Sequence, residues 1–389
     1  MSNLSTNAVY IVGHAATPVA EHWERTAVSL AHEALAAALG PIDPSRIGAL
    51  YTASALTPLI GGQSQIAPAV AQVGGLVNAE AVSIEGGGAA GGVAIRQAAL
   101  AIAAGVYDLV VVLGVEKVSD VLDPTRDAAL ALMGDPDFEA VHGTTPTAQW
   151  AMLMRRYMHE YGCTADDFAA FPVNAHANGA ANPGALYRFP ITVEKVRAGS
   201  PIADPLGLLD CSTTADGAAA IVLASASVAA ELGAPLIRIA ATAHAADRVA
   251  LHARQNPLWL AASARSAQQA LAAARLSIAD IQVLDVMDPH GIAAALALEA
   301  IGLAERGSAP AAAREGSIRP NGATPLATAG GCKARGDLIG AHGVYQAVEL
   351  TRQLRGQAGA AQVKGARVAL AQTLGGIGVT AVTTILVAE

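Results

Sequence analysis

The side chains best suited to catalysis lie in the C-terminal half of the chain. Asp337 lies near the start of a predicted helix that contains His342, where a carboxylate could act as a base on a carbon acid or an alcohol. The same carboxylate could instead cap that helix or neutralise its dipole. His290, near the start of another predicted helix, could point into a cleft or bond to the backbone. Cys332, in the segment GGCKARG, could be a nucleophile or could be a small buried hydrophobic residue.

Other histidines and cysteines have weaker claims to a role. His342 could take part in the chemistry or pack against the loop region or a subunit interface. His142, in EAVHGTTP, and His176, in NAHANGAANP, lie in predicted loops, where they could line a pocket or hold the loops in place. The chain has 3 cysteines, which are far apart and form no CxxC pair. This spacing predicts no metal site and no disulfide framework, and it fits a reducing compartment.

Composition predicts a globular protein with a large buried core or extensive interfaces. Of 389 residues, 53% are hydrophobic and only 14% are charged, which excludes disorder. The formal net charge of −8, without a basic stretch, argues against binding to nucleic acid. The first 13 residues lack the pattern of a signal peptide, so we expect a cytoplasmic protein. The uncharged stretch 368–388 is interrupted by glycines and threonines, which predicts two strands joined by a turn and no membrane span.

The first half of the chain alternates predicted strands and helices. Strands are predicted at AVYIVG and IGALYTA, with helices beginning near Glu21 and covering 63–74. A glycine-led helix, GGVAIRQAALAIAAG, then precedes the continuously apolar strand DLVVVLG, which should be buried on both faces. This alternation predicts βαβ units and a mostly parallel sheet with helices on both sides.

The second half repeats this pattern after a different middle region. Residues 118–210 are rich in Pro, Asn, His and charge, and we expect them to form a covering region of helices and loops over a site. A new series of strands and helices begins near 235, and its GAHGVYQAVELTRQLRG followed by ARVALAQ parallels the helix and strand of the first half. We therefore predict two units, 1–230 and 231–389, whose helix N-termini converge and favour thiolates, enolates or thioester oxygens.

The segment VSIEGGGAAGGVAIR, residues 82–96, resembles the nucleophile segment of the thiolase superfamily. In that superfamily a strand runs into a Cys-Ala-Ser-Gly turn at the start of a buried helix. The rest of the chain is most similar to sterol-carrier-type and archaeal acetoacetyl-CoA thiolases, through a series of segments in the family's order: GVEKVSD, YMHEYG, NAHANGAANP, DPLGLLDCSTTADGAAAIVL, ALALEAIGL, GGCKARGDLIGAHGVYQAVE and QTLGGIG. The resemblance implies the thiolase fold, an α/β fold with two similar βαβαβαββ halves, a five-layered αβαβα core and a covering loop region.

The same resemblance implies that the usual catalytic residues are absent. The turn reads Gly88-Ala89-Ala90-Gly91, so Gly88 stands at the position of the nucleophilic cysteine. Met287 and Asp337 stand where the family has its two histidines, and Gln372 is near the position of a further cysteine. The resemblance places substrate-binding positions at a set that matches the family's motifs: His142, His176, Asp288, Gly375 and Gly376. It implies a coenzyme A thioester as ligand and no bound cofactor.

Three functions remain open at this point. The chain could cleave or form a carbon–carbon bond of an acyl-CoA without a covalent intermediate, with Asp337, His290 or His342 as acid or base. Thiolase-like aldolases of this type also lack the cysteine and work with a small zinc-ribbon/OB-fold partner, although their tyrosine motif is not evident and Tyr345 lies in another register. The chain could instead be a non-catalytic subunit that pairs with an active paralogue or such a partner. A conventional thiolase with a rearranged site is the third possibility, and a homodimer is compatible with each.

Overall fold

A computed structural model describes residues 8–233 and 235–389. Residues 1–7, on which the prediction of a missing signal peptide partly rests, lie outside the described residues. The strands are β1 Val9–Ala16, β2 Ala49–Ala53, β3 Glu80–Ile84, β4 Leu109–Glu116, β5 Pro201–Ala203, β6 Leu206–Gly207, β7 Gly217–Ser225, β8 Ile237–Ala246, β9 Val283–Val286, β10 Val368–Gly375 and β11 Thr380–Ala388. The helices are α1 Ala27–Leu39, α2 Thr57–Ile60, α3 Ile66–Val73, α4 Ala90–Ala103, α5 Asp123–Ala131, α6 Pro146–Tyr161, α7 Ala165–Phe168, α8 Ala170–Ala180, α9 Val193–Arg197, α10 Ala226–Leu232, α11 Ala261–Ala274, α12 Gly291–Ala300, α13 Ala309–Arg314 and α14 His342–Leu354.

Nine of these strands form a mixed sheet in the order β3-β2-β4-β7-β1-β8-β11-β10-β9. The prediction of a mostly parallel sheet is wrong, since three of its pairings are parallel and five are antiparallel. β7 runs antiparallel to β4 and β1, and β11 runs antiparallel to β10 and β8. The fifth antiparallel pairing joins β1 to β8. A continuous apolar run shows that a strand is buried on both faces, but it does not encode the direction of its neighbours.

The sheet order shows an internal duplication. The series β2-β4-β7-β1 of the first half has the same strand directions as β9-β10-β11-β8 of the second half. The edge strand β3 has no full counterpart, but a parallel bridge between Leu284 and Leu326 occupies the equivalent place beside β9. The parallel between the two helix–strand segments that the sequence predicts is therefore a real structural repeat.

The two halves stack as five layers. α1 packs on β1, β4 and β7, whereas α11 packs on β8, β10 and β11, so these helices lie on the outside. α4 and α14 each contact strands of both halves and form the middle layer. Among the described residues, the two parts of the sheet join where Tyr10 and Ile11 of β1 pair with β8. The predicted αβαβα core is confirmed.

The N-termini of α4 and α14 approach each other at backbone distance. A Cβ added to Gly343 would lie 2.6 Å from the backbone nitrogen of Gly92, and one added to Gly91 would lie 2.9 Å from that of Gly343. Only glycine allows two helices to come this close. This contact brings together the two turns that precede these helices, as the sequence predicts when it places the helix N-termini close to each other.

Two local predictions are wrong. α1 begins at Ala27 and not near Glu21, because the Thr26 side chain accepts a hydrogen bond from the Ser29 N–H and caps the helix. Part of the expected loop NAHANGAANPGALYRFP is the helix α8. Its Asn174 and Asn178 side chains donate to the Leu326 carbonyl, so residue types common in loops here join two elements.

The strand–turn–strand prediction for 368–388 is confirmed, and no described helix is long and apolar enough to cross a membrane.

The glycine contact between the middle helices makes a first prediction. Replacing Gly343 with Ala should destabilise the protein by about 1–3 kcal/mol, since the new methyl group would meet the Gly92 backbone and the Thr373 side chain. The denaturant midpoint measures this. Gly184→Ala is the control, because its nearest neighbour, Asn182 Oδ1, would be 3.4 Å away. Equal stability of both variants would show that the middle layer tolerates a wider spacing.

Candidate functional site

The two middle helices begin at the floor of a cavity of about 370 Å³. Its wall combines both halves of the fold with the region 118–210, which covers it as predicted. Its wall includes Gly88, Arg126, Trp150, Leu208, Cys211, Ser212, Met287, His290, Asp337, Ile339 and Gly376. We call this space the acyl cavity.

Equivalent turns precede α4 and α14. Gly87–Ala89 and Ile339–Ala341 are each a single 3₁₀ turn, and each begins with a residue of positive φ, 55° at Gly87 and 45° at Ile339. A β-branched residue in this region is strained, at a cost of about 1–3 kcal/mol. Strain of this kind is concentrated at functional sites, and Ile339 is in the wall of the acyl cavity.

A buried carboxylate holds the strained turn. Glu116, at the end of β4, accepts hydrogen bonds from the Gly340 N–H at 2.9 Å and from the backbone N–H groups of Ala55 and Leu56. It is completely buried. This role of Glu116 was not predicted from the sequence, although a charged residue at the end of a continuously apolar strand is a signal of a buried polar role.

Gly88 has no room for a side chain. A Cβ at this position would lie 2.7 Å from Cε of Met287 and 3.0 Å from its sulfur, and closer still to the Leu374 carbonyl oxygen. Met287 is itself buried. The space beside the start of α4 is therefore filled by the thioether, which leaves no enlarged pocket there.

Asp337 presents its carboxylate to the acyl cavity. One oxygen accepts from the Ser212 hydroxyl and the other from the Ile339 N–H, both at 3.0 Å. The backbone N–H of Asp337 donates to the Thr213 carbonyl at 2.9 Å. These contacts fix the buried carboxylate at the turn that precedes α14, where it binds a backbone N–H of the turn and also lines the cavity.

His290 lies in the same cavity wall and has free ring nitrogens. It is 6% exposed, and neither ring nitrogen has a hydrogen-bond partner among the described residues. Its ring lies 6.5 Å from that of Trp150. Burial, and then the nearby charge of Lys333, lowers the pKa of His290 to about 3. The imidazole is therefore neutral at physiological pH and can donate one hydrogen bond to a ligand.

Cys332 and His342 form a pair that is closed off from the acyl cavity. The Cys332 sulfur lies 3.4 Å from Nδ1 of His342, and both side chains are fully buried. Arg335 donates to the same Nδ1 at 2.7 Å. Burial, followed by the carboxylates of Asp337 and Asp288, raises the pKa of the Cys332 thiol well above its usual value. A protonated and enclosed thiol is a poor nucleophile.

Asp337 connects this buried pair to the acyl cavity. Donor atoms of Cys332, Asp337 and His342 lie within 4.8 Å of one another. Since His342 Nδ1 already accepts from Arg335, this lone pair is not free for a metal ion. Burial and Arg335 also lower the pKa of His342, which keeps the imidazole neutral.

The remaining candidate residues occupy different places. Gly376 lines the acyl cavity and Gly375 lies next to it, under the Gly86 carbonyl. Asp288 is buried and is not part of the cavity wall. Its carboxylate accepts a hydrogen bond from the Cys332 N–H at 2.6 Å, and burial raises the pKa of Asp288 to about 8. His142 is exposed and lies outside the cavity wall.

His176 and Tyr345 also lie outside the wall of the acyl cavity. The His176 ring stacks on Tyr187, and its Nδ1 is 3.0 Å from the Phe189 carbonyl oxygen. The Tyr345 hydroxyl donates to the Thr17 carbonyl at 3.0 Å. Two residues of the wall were not predicted from the sequence: Trp150, whose ring lies near that of His290, and Ser212, which donates to Asp337.

Comparison with known proteins agrees with this architecture. A family model described as thiolase, N-terminal domain, matches residues 9–227, and one described as thiolase C-terminal domain-like matches residues 243–388. The chain belongs to the thiolase family. The resemblance in the sequence is thereby confirmed, and the family's two models divide the chain between its two structural repeats.

Two thiolase-family relatives cover almost all of this chain. It is 37% identical to an acetyl-CoA acetyltransferase of Methanothermobacter thermautotrophicus over 378 residues, which is 96% of this chain and 97% of that protein. It is 33% identical to a 17-hydroxy-3-oxo-4-pregnene-20-carboxyl-CoA lyase of Mycobacterium tuberculosis over 361 residues, which is 89% of this chain and 91% of that one. The solved structure of the Ltp2-ChsH2(DUF35) aldolase superimposes with a TM-score of 0.86 and 28% identity over 99% of both chains.

The contact between Gly88 and Met287 predicts a coupled pair of substitutions. Gly88→Ala should cost about 1–3 kcal/mol through overpacking, and Met287→Ala about 2–5 kcal/mol through a cavity. In the double variant the clash with the thioether is gone while the one with the Leu374 carbonyl oxygen remains, so the double cost should be about 1 kcal/mol below the sum. Chemical denaturation of the four proteins measures the coupling. A purely additive cycle would contradict direct packing.

The neutral state of His290 predicts a dependence of stability on pH. Its folded pKa of about 3 lies below the unfolded value, so the unfolded chain binds the extra proton as the pH falls. Between pH 7 and pH 5 the wild type should lose about 2 kcal/mol more stability than His290→Gln. Denaturation at each pH gives the difference. Parallel profiles of the two proteins would show that His290 titrates normally.

Proposed function

We propose that this chain binds an acyl-CoA and breaks or forms a carbon–carbon bond next to the thioester, without a covalent acyl–enzyme. In this proposal Gly88 occupies the place of the family's nucleophilic cysteine. The observation that supports it most directly is that the neutral, unpaired His290 and the Asp337 carboxylate line one cavity.

The residues of the acyl cavity suit a retro-aldol reaction of a β-hydroxyacyl-CoA. Asp337 accepts the proton of the β-hydroxyl group, the Cα–Cβ bond breaks, and a carbonyl product leaves. The bonding electrons pass to the thioester enolate, whose oxygen accepts a hydrogen bond from neutral His290. Protonation at Cα by the same proton completes an acyl-CoA product. Two helix N-termini near the floor add positive potential for the enolate.

The relatives support this class of chemistry. The names of both curated relatives denote enzymes of CoA thioesters, one that transfers an acetyl group and one that is a lyase. The similar aldolase structure contains a DUF35 partner. We infer that this chain can likewise assemble as a homodimer or with a small partner of the zinc-ribbon/OB-fold type.

Two alternatives have less support from the site. Ordinary cysteine-dependent thiolysis would need a thiolate in the acyl cavity. Cys332 is enclosed, and burial raises the pKa of its thiol. Cys211 lines the cavity, but burial raises the pKa of its thiol to about 11, so it too is protonated. A purely non-catalytic subunit would leave no reason for an unpaired imidazole and a fixed carboxylate in one wall. The partner in the aldolase structure nevertheless favours tests with and without a companion protein.

The proposal predicts cleavage of β-hydroxyacyl-CoA substrates to a shorter acyl-CoA and a carbonyl compound, measured by mass spectrometry. Asp337→Asn should lower the rate by at least about 100-fold, because the amide cannot accept the hydroxyl proton. His290→Phe should lower kcat more than it raises KM, since its hydrogen bond strengthens in the transition state.

The control variant is Asp137→Asn, which removes an exposed carboxylate outside the acyl cavity and should leave the rate unchanged. Each protein is assayed alone and with a co-purified companion from the native host. Release of free CoA from acetoacetyl-CoA and CoA by the isolated chain would contradict the proposal. So would full activity of Asp337→Asn.

A further inference from the structure

A second cavity of about 510 Å³ lies along one face of α14. It shares no lining residue with the acyl cavity. Its wall includes Tyr345, Glu349, Arg352 and Gln353, whose spacing of four, three and one residues places them on the same side of the helix. The turn 357–361 and the segment 181–184 form its other sides. We call this space the α14 cavity.

The charges of this wall favour an anion. Its charged residues are Arg335, Arg352 and Glu349. Arg335 is 1% exposed and pairs with Glu349 at 2.6 Å, so these two charges offset each other. Arg352 has no carboxylate within 4.0 Å among the described residues. The wall therefore carries one unpaired positive charge in a protein whose net charge is −8.

The neutral polar groups of the wall are mostly engaged within the protein. The Gln353 amide donates to the Thr328 hydroxyl at 2.9 Å, and the Asn182 amide donates to the Ala329 carbonyl at 2.9 Å. Among the described residues, Arg352 and Gln357 are the wall residues whose long polar side chains donate no hydrogen bond. The cavity thus has a fixed frame and two free groups, a guanidinium and an amide, which can turn to a ligand.

Arg335 cannot serve as the main partner of such a ligand. Its two terminal nitrogens donate to Glu349 and to His342, at 2.6 and 2.7 Å. Removing it from these contacts would leave a buried carboxylate without its partner, which is costly. Arg352 is free of such commitments and offers the planar pair of donors that matches a carboxylate or phosphate.

We propose that the α14 cavity binds a small organic anion, whose carboxylate or phosphate group pairs with Arg352 and whose polar remainder contacts Gln357. The site is separate from the acyl cavity, and the inference does not depend on the proposed catalytic function. Because Arg335 joins the wall of the α14 cavity to His342 at the first residue of α14, a ligand here lies one side chain away from the buried Cys332–His342 pair.

Isothermal titration calorimetry of the full chain with pyrophosphate and, separately, with citrate tests the site. Wild type should bind at least one of these probes with a stoichiometry of one per chain. Arg352→Gln should weaken that binding by about tenfold or more, because it removes the unpaired charge. Lys364→Gln, which removes an exposed charge outside the cavity, should change the affinity by less than about twofold.

A second variant separates charge from structure. Arg352→Lys keeps the positive charge but loses the paired donors, so its affinity should fall between those of wild type and Arg352→Gln. Thermal unfolding of each variant without ligand checks that the fold is intact. The proposal is overturned if neither probe binds to wild type at 10 mM, roughly the weakest affinity that one such ion pair supports, or if Arg352→Gln binds as tightly as wild type.

Discussion

The close approach of α4 and α14 is the contact on which the rest of the structure depends. Glycines at their N-termini let two helix backbones touch in the middle layer, with one part of the nine-stranded sheet on either side. The preceding turns are thereby held together at the floor of the acyl cavity. The strained Ile339 remains in place because Glu116 binds the turn from below and Asp337 caps it from the cavity side.

Charge and burial divide the titratable groups of this region into two sets. The acyl cavity is lined by the fixed carboxylate of Asp337 and by the His290 imidazole, which burial keeps neutral; the proposed function assigns proton transfer to the first and enolate stabilisation to the second. Behind it, Cys332, His342, Arg335 and Glu349 are buried and are joined to one another by short polar contacts. The second set supports the position of α14, and its chemistry is silent because the thiol stays protonated.

Several features of the fold and site could be predicted from the sequence. Local composition predicts the buried strand at Leu109–Leu113, the hairpin near the C-terminus and the covering region, because the apolar content of a segment reflects how far it is buried. The start of α1 and the helix α8 could not be predicted as reliably. The Thr26 cap sets the start of α1, and the hydrogen bond from Asn178 to the Leu326 carbonyl ties α8 to another part of the fold. Strand direction depends on neighbours distant in the chain, so the mixed sheet was also missed.

The sequence by itself determined the family, through the order of its motifs, and the lack of a side chain at Gly88. Tertiary structure alone decided what lies against Gly88, because β9 pairs with β10, and β10 contacts the turn Gly87–Ala89, which places Met287 beside it. It also decided that His290 joins Asp337 in one cavity while His342 turns inward to Cys332. Both histidines lie near helix starts in the sequence, and only the packing around each helix sets which of them can meet a ligand.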